Sequence, residues 1–144
     1  MATQLSSMLV HPMRIHPGED VLNVLQEFVR TNDLKAAFIV TCVGSVKRVK
    51  LRFATDSEGK EAISDIVENM EICSLVGTVA QDGSHIHGTF GNVKGHTVSG
   101  HVMGNMEVQT TVEIVIGNAV GYHFSRELDD KTGFKELVVE KEKI

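Results

Sequence analysis

The residues from 83 to 101 constrain the fold most, because they carry the pattern of a β-hairpin. Two runs of alternating residues flank the segment Gly91-Asn92-Val93-Lys94-Gly95. Glycine and asparagine tolerate the positive φ angles that tight hairpin turns require, so this segment is predicted to be the turn. A hairpin centred here sets two strands side by side and fixes which of their residues face each other.

Three histidines fall on one face of this predicted hairpin. If the turn centres on Val93, His85 faces His101 and His87 faces Ser99. Side chains alternate between the two faces with a period of two, so the three imidazoles share a face. Neutral imidazole is a common metal ligand, and three of them leave a fourth position for water or substrate. The pattern predicts a divalent metal site, most simply for Zn²⁺, with His85, His87 and His101 as ligands.

The predicted ligand set depends on the register of the hairpin. His85 and His87 share a face in any register, whereas His101 joins them only if the register allows it. His96 is expected on the opposite face and is not counted as a ligand. The alternative interpretation is that all of these are surface histidines on a polar sheet face.

The composition is that of an ordinary folded domain. The chain has 144 residues, 42% of them hydrophobic, so a single domain over residues 1–144 is expected. No apolar run predicts a transmembrane helix, and no secretory signal is evident, so we expect a cytoplasmic protein without a membrane partner. Cys42 and Cys73 lie in apolar runs and are predicted to be small core residues, with a disulfide between them as the alternative.

The charge balance argues against a protein that holds DNA through its phosphates. The net charge is −5, whereas such proteins usually carry a basic surface or tail. One basic cluster occurs, at residues 47–52, and its spacing divides the charges between both faces of a strand, which favours an edge strand. DNA binding is therefore expected to be weak or indirect.

One clear helix is predicted near the N-terminus. The acidic pair Glu19-Asp20 suits the positive end of a helix dipole, and an apolar stripe at helical spacing runs from Val21 to Val29. Asn32-Asp33 is predicted to end the helix.

Most other segments predict strands. Besides the two strands of the hairpin, they cover residues 8–15, 36–43, 46–54, 70–79, 107–116, 120–126 and 137–139. Breaks are expected at Gly44 and at residues 103–105, and Pro12 places the first strand at an edge or a bulge. Because the strands follow one another without alternating helices, the sequence predicts an α+β fold: a mostly antiparallel β-sheet of about eight strands with one or two packed helices.

Several segments, in their order along the chain, resemble the plant and prokaryote conserved (PPC) domain family. The resemblance covers nearly the whole chain and depends on the order of the motifs rather than on any one of them. The segments are Arg14-Ile15-His16-Pro17-Gly18-Glu19-Asp20, Val43-Gly44-Ser45-Val46 with Arg48, Leu75-Val76-Gly77-Thr78-Val79, the hairpin with Ser99-Gly100-His101, Thr110-Thr111-Val112-Glu113, and Arg126-Glu127-Leu128-Asp129 with Thr132-Gly133-Phe134-Lys135-Glu136-Leu137.

The resemblance implies an α+β fold, a homotrimer, and kinship in fold with acetolactate decarboxylase, a zinc enzyme that holds its metal with histidines. Plant members place an AT-hook before the domain, and stand-alone prokaryotic members are often described as predicted DNA-binding proteins. This sequence has no Arg-Gly-Arg-Pro element. It also has Ser99-Gly100-His101 where the family usually has Gly-Gly-His, a change that keeps the histidine.

Glu113 is the one candidate for an acid–base role. It interrupts the apolar run of residues 112–116, where a carboxylate needs a partner or solvent. One interpretation is that Glu113 acts beside the metal, as a general base or as a supporting group. The interpretation that we favour is that it is a strand carboxylate, which lies on a polar face or pairs with an arginine. Arg48 and Arg126 leave the same two interpretations open.

Three functions remain from the sequence. The first is a small oligomeric binding module with a histidine-coordinated divalent metal. The second is a metal-dependent lyase or hydrolase of a small molecule, in which the metal activates water or a carbonyl group. The third is a DNA-associated regulator, against which the acidity and the missing AT-hook weigh. A closed oligomer is expected in each case, because about eight strands carry more apolar surface than one clear helix can cover. The resemblance to the PPC family makes a homotrimer the specific expectation.

Overall fold

The computed structural model describes residues 4–142, which contain eight strands and one helix. The strands are β1 (Met8–Ile15), β2 (Ala37–Arg52), β3 (Ile63–Ile66), β4 (Met70–Ala80), β5 (Gly83–Gly91), β6 (Thr97–Ala119), β7 (Tyr122–Leu128) and β8 (Lys135–Lys141), and the helix is α1 (Val21–Thr31). Every pairing between these strands is antiparallel. The predicted α+β class with a mostly antiparallel sheet is therefore confirmed.

Four of the strands pair in a closed ring. β2 pairs with β4, β4 with β5, β5 with β6, and β6 returns to β2. β1 adds to β6 at one edge and β3 adds to β2 at the other, while β7 and β8 form a separate two-stranded sheet. The edge position of β1 is the one predicted from Pro12, whose missing N–H leaves no donor for a second neighbour.

The helix packs one apolar stripe against the ring. Its buried side chains are Val21, Leu25 and Val29, and burying each contributes about 1.5–3 kcal/mol. The Asp20 carboxylate accepts the backbone N–H of Asn23 at 2.9 Å, which satisfies one of the free donors at the helix start. Both ends of the helix agree with the prediction. Within residues 4–142, no helix combines the length and the apolarity that a membrane crossing requires.

β2 runs unbroken through the position where a break was expected. Gly44 has φ +145°, and a Cβ atom there would lie 2.1 Å from the carbonyl oxygen of Thr111 on β6. The glycine allows the two backbones to approach closely, so it marks a crossing of strands and not an end. The two strands predicted over 36–43 and 46–54 are wrong as separate elements.

β6 is likewise continuous where residues 103–105 were predicted to interrupt it. Asn105 has φ +50°, and the register against β2 shifts on either side of this point, so the segment is a β-bulge. The neighbouring basic segment is not at an edge, because β2 pairs with β3 over Val49–Arg52 and with β6 along the same stretch. The edge position predicted for it is wrong, because residues 63–66, for which the sequence predicts no strand, form β3 and pair with it.

The two cysteines lie in different environments and both are free. Cys42 is buried, as predicted, and burial raises the pKa of its thiol to about 12. Cys73 is exposed, so the prediction that it is a core residue is wrong. Its strand has one face in the ring interior and one outside, and the side chain of Cys73 lies on the outside.

Candidate metal centre

A three-residue turn sets the register of the β5–β6 hairpin. The N–H of Asn92 donates to the carbonyl of His96 at 2.9 Å, and the N–H of Gly95 donates to the carbonyl of Asn92 at 2.9 Å. The side-chain oxygen of Asn92 accepts the N–H groups of Lys94 and His96 at 3.0 and 3.1 Å. Gly95 has φ +75°, as three-residue hairpin loops require at this position. The turn therefore centres on Lys94.

The facing pairs differ from the predicted ones for this reason. His87 faces His101, and Thr89 faces Ser99. The predicted pairs, in which His85 faced His101 and His87 faced Ser99, are wrong by two residues. A displacement of two preserves the face on which every side chain lies, so the three histidines still share a surface.

The structure brings His85, His87 and His101 together. Their ring centroids lie 4.9, 5.1 and 5.7 Å apart, and one nitrogen from each ring lies within 4.8 Å of the others. A tetrahedral zinc ion with Zn–N distances of about 2.0–2.1 Å holds its nitrogens roughly 3.4 Å apart. The Nε2 atoms of His85 and His87 are 3.2 Å apart and already meet that spacing. A nitrogen of His101 lies within 4.8 Å of both.

Packing beneath the hairpin holds the histidines in place. On the inner face of β5, Ile86 and Phe90 are buried while the histidines between and beside them point outward. On the far side of β5, β4 approaches so closely that a Cβ atom at Gly77 would lie 2.0 Å from the carbonyl oxygen of His85. The ligand spacing is thus a property of paired strands and not of a loop.

Two arginines flank the histidines on opposite sides. Arg52 of β2 is the direct cross-strand partner of His101. Its guanidinium lies 5.3 Å from the ring centroid of Phe134 and forms an ion pair of 3.3 Å with Glu61. The charge of Arg52 is therefore already engaged within the protein.

The second arginine reaches the site from the β7–β8 sheet. Nη2 of Arg126 donates to the hydroxyl of Thr78 at 2.6 Å, and Thr78 is the direct cross-strand partner of His85. Directly opposed side chains in a sheet have Cβ atoms about 4.5–5.5 Å apart, so Arg126 lies beside the histidine cluster.

The surroundings of His85 and His101 favour the neutral form of both rings. Burial, and then repulsion from Arg52 and the two other rings, lowers the pKa of His101 to about 4. Burial, followed by repulsion from His87 and Arg126, also lowers the pKa of His85. Nδ1 of His101 is buried and has no hydrogen-bond partner among residues 4–142. The neutral imidazole is the form that binds a divalent cation, so the lowered pKa values of His85 and His101 and the spacing of the three rings fit a metal such as Zn²⁺.

Three clefts meet at the histidines. The largest, of about 560 Å³, is lined by His87, His101 and Arg52 among others. A second, of about 340 Å³, contains His85, His87 and Arg126. A third, of about 270 Å³, lies between His85, His101 and both arginines. Each histidine therefore lines two clefts, and a small molecule in any of them would contact the cluster.

The predicted acid–base candidate lies elsewhere. Glu113 is exposed on β6, where its neighbours across the sheet are Arg14 on β1 and Val43 on β2. Among the carboxylates that line the three clefts, Glu136 lies in both of those that His85 and Arg126 share, whereas Glu61 lies in the largest cleft and is paired with Arg52. Only the pairing of β7 with β8 brings Glu136 to this place, and no local sequence signal identifies it.

Comparison with known proteins gives a family and several relatives. The sequence model of the Plants and Prokaryotes Conserved (PCC) domain matches residues 2–120. A protein of Synechococcus sp. (strain JA-3-3Ab) named bifunctional protein GlmU is 36% identical over 135 residues, which are 94% of this chain and 21% of that protein. The chain therefore spans about a fifth of the length of the curated relatives it matches.

Solved structures share the fold along most of the chain. A hypothetical protein from Salmonella cholerae-suis is 35% identical, with a TM-score of 0.88 over 96% of this chain and 97% of that one. A structure described as the metal-containing protein AF0104 from Archaeoglobus fulgidus is 21% identical, with a TM-score of 0.81 over 96% and 99%. A protein from Bacteroides thetaiotaomicron for which DNA binding has been suggested is 18% identical, with a TM-score of 0.77 over 94% and 98%.

Proposed function

The chain belongs to the Plants and Prokaryotes Conserved domain family, and we propose that it is a metal-binding module in which His85, His87 and His101 hold one divalent cation, most simply Zn²⁺. The observation that carries this proposal is that their ligand nitrogens lie within 4.8 Å of one another on two paired strands. A metal held there would supply Lewis acidity or activate a water molecule. The chain itself supplies three imidazole ligands and charged groups along the adjoining clefts. The protein from Archaeoglobus fulgidus with this fold is described as metal-containing, which is consistent with the proposal; at 21% identity the likeness itself supports only the shared fold.

Metal content of purified variants tests the ligand set. His85→Ala, His87→Ala and His101→Ala should each weaken zinc affinity by more than the 10–100-fold that loss of a merely supporting group costs. His96→Ala is the matched control, since His96 lies in the hairpin turn and outside the cluster. The measurement is zinc stoichiometry after dialysis against a zinc buffer. Equal zinc retention by His101→Ala and the unmodified protein would contradict the three-ligand site.

We also propose that the protein assembles, with a homotrimer as the specific expectation. Large apolar side chains are exposed along the edge strand β1 and on the part of β2 that lies on the other side of β6. They are Met8, Leu9, Val10, Val40 and Val43, with 44–57% of each side chain accessible. An edge strand with contiguous apolar residues is a surface that soluble proteins usually cover. Cyclic assembly would bury it with a defined end point.

DNA is proposed to be at most a weak or indirect partner. The basic cluster of β2 is largely neutralised by acidic side chains of the same protein. The pairs are Lys47 with Glu107 at 2.7 Å, Arg48 with Asp65 at 2.6 Å, and Arg52 with Glu61 at 3.3 Å. Cations that are already paired have little to gain from DNA phosphates, because neutralising phosphate is what drives non-specific binding. The function suggested for the Bacteroides protein is therefore not the one that these contacts favour.

A metal-dependent hydrolase or lyase is the second candidate, and Glu136 favours it. This carboxylate lines two clefts with His85, and its Oε1 accepts the hydroxyl of Thr132 at 2.9 Å. A carboxylate held in such a cleft could transfer a proton to or from a bound molecule. An enzyme of this kind should show zinc-dependent hydrolysis of 4-nitrophenyl acetate that falls in Glu136→Gln at unchanged zinc content. Rates equal to those of the zinc buffer alone would leave the binding module as the function.

A further inference from the structure

Arg126 is an arginine without an acidic partner. Among residues 4–142, no carboxylate lies within ion-pair distance of its guanidinium, and the single hydrogen bond of that group goes to the Thr78 hydroxyl. The Nε atom is buried and has no hydrogen-bond partner. Burial lowers the pKa of this guanidinium, while Glu136 and Asp82 act in the opposite direction from beyond contact distance. Arg126 is half-buried, and its buried Nε–H lacks the hydrogen bond that buried donors normally have, so an acceptor from outside the chain would be stabilising.

The same protein shows how an arginine is satisfied internally. Nε and Nη2 of Arg48 donate to the two carboxylate oxygens of Asp65 at 2.9 and 2.6 Å. This paired arrangement suits a planar carboxylate and is stronger than a neutral hydrogen bond. Arg126 has a neutral hydroxyl in place of such a partner. The comparison points to a carboxylate as a group that would complete the hydrogen bonding of Arg126.

The position of Arg126 shows where that carboxylate would lie. Arg126 lines the cleft that contains His85 and His87, and it also lines the cleft that contains His85 and His101. Thr78 holds it across the sheet from His85. A molecule that contacts the guanidinium from either cleft is therefore adjacent to the proposed metal ligands.

We infer that Arg126 forms an anion subsite beside the three histidines, and that the ligand of this centre is a small molecule carrying a carboxylate. The inference rests on the proposed metal site, because the ligand is expected to contact both. Arg126 binds and orients the carboxylate, and Thr78 holds the guanidinium in place. Arg52 contributes positive charge to the cleft that contains His85 and His101, but it is committed to Glu61 and Phe134. The subsite thus selects anions at one end of the cleft, next to a centre that accepts oxygen or nitrogen ligands.

Titration of the Co²⁺-loaded protein with acetate tests this inference. The visible spectrum of Co²⁺ reports a new ligand, and acetamide is the uncharged probe of the same shape. Arg126→Gln should leave the Co²⁺ stoichiometry unchanged and weaken acetate binding about tenfold or more, the effect of losing a hydrogen-bonded charged partner. Arg126→Lys should restore only part of the affinity, because lysine keeps the charge but lacks the planar fork.

Arg14→Gln is the matched control. Arg14 also donates to a threonine hydroxyl, that of Thr111 at 3.0 Å, but lies on β1 away from the three clefts. Its acetate affinity should equal that of the unmodified protein. Equal acetate affinity in Arg126→Gln, or equal affinity for acetate and acetamide, would overturn the inference. A preference for inorganic phosphate that depends on Arg126 would overturn the assignment to carboxylates.

Failure of the metal site would give a different result. If the protein takes up no Co²⁺, the proposed function is wrong. Acetate binding at Arg126 is then measured in the metal-free protein. There, acetate should shift the Nε–H resonance of Arg126 in an NMR titration, whereas acetamide should not. Absence of that shift as well would overturn the inference independently.

Discussion

Replacing Gly77 by alanine should damage both the fold and the metal site, because Gly77 sets the distance between β4 and β5. A Cβ atom there would lie 2.0 Å from the carbonyl oxygen of His85 and 2.8 Å from the Cα atom of Ile86. Both contacts are with backbone, so no side chain can move aside to relieve them. The positive φ of 153° adds backbone strain of about 1 kcal/mol or more.

The expected loss of unfolding free energy is the sum of the steric contribution and the backbone strain. Forcing extra volume into a packed region costs about 1–3 kcal/mol, so Gly77→Ala should lose about 3 kcal/mol of unfolding free energy in total. For a chain of this size, that corresponds to a fall in Tm of roughly 10 °C. Displacement of β5 also moves His85, so zinc affinity should fall by about 10–100-fold, as for loss of a group that supports a ligand.

Gly59→Ala provides the control for backbone strain alone. Gly59 has φ +77°, and a Cβ atom there would meet nothing within 4 Å. Its expected loss is about 1 kcal/mol, with zinc affinity unchanged. Thermal unfolding followed by circular dichroism, together with zinc competition, measures both quantities. If Gly77→Ala melts at the same temperature as Gly59→Ala, the close approach of β4 and β5 does not determine the geometry of the site.

Three further predictions concern pH, assembly and DNA. The folded-state pKa of His101 is about 4, below the usual 6.5, so the unfolded chain binds more protons between these values. The unfolding free energy of the metal-free protein should therefore fall as the pH falls from about 6.5 to 4. Denaturant titrations over this range should show a smaller pH dependence in His101→Gln, which lacks the titrating group. An unchanged pH profile in that variant would contradict the prediction. Light scattering at micromolar concentration should give about three times the 15.8 kDa chain mass, and a monomer mass that persists as concentration rises would refute the assembly. Duplex DNA should bind no more tightly than the roughly 10⁻⁴–10⁻⁶ M of non-specific binders, with strong salt dependence, and nanomolar sequence-specific binding at physiological salt would show this to be wrong.

The local sequence pattern was sufficient to predict the elements that depend only on neighbouring residues. The helix is bounded by Asp20 and Asn32 because capping groups and the apolar stripe all lie within the segment itself. The shared face of His85, His87 and His101 follows from the alternation of side chains along strands. It survived an error of two residues in the pairing for that reason alone.

The predictions failed mainly where the structure depends on contacts that the local pattern does not specify, most often with residues distant in the sequence. Gly44 resembled a strand end, yet it serves the close approach of Thr111, 67 positions later in the sequence. The turn centre depended on the side chain of Asn92 bonding two backbone N–H groups, which propensity alone does not specify. Arg126 and Glu136 reach the histidines only through the packing of the β7–β8 sheet, so the sequence left Arg126 undecided and did not indicate Glu136.

These long-range contacts give the site its chemical character. The hairpin by itself offers three imidazoles, which many divalent metals would accept. Arg126 and Glu136 add one positive and one negative group to the clefts around His85. We therefore expect the sheet that carries these two residues to influence which molecules bind beside the histidines. Selectivity for a ligand is expected to change when β7 or β8 is altered, and metal affinity when β5 or β6 is altered.

X-ray absorption at the zinc edge of the zinc-loaded protein tests the central claim most directly. The account predicts one zinc per chain, with three imidazole nitrogens at about 2.0–2.1 Å and one further light ligand. The spectrum of His101→Ala should show the loss of one imidazole, whereas His96→Ala should match the unmodified protein. A zinc ion bound without imidazole ligands, or bound identically in His101→Ala, would contradict the account.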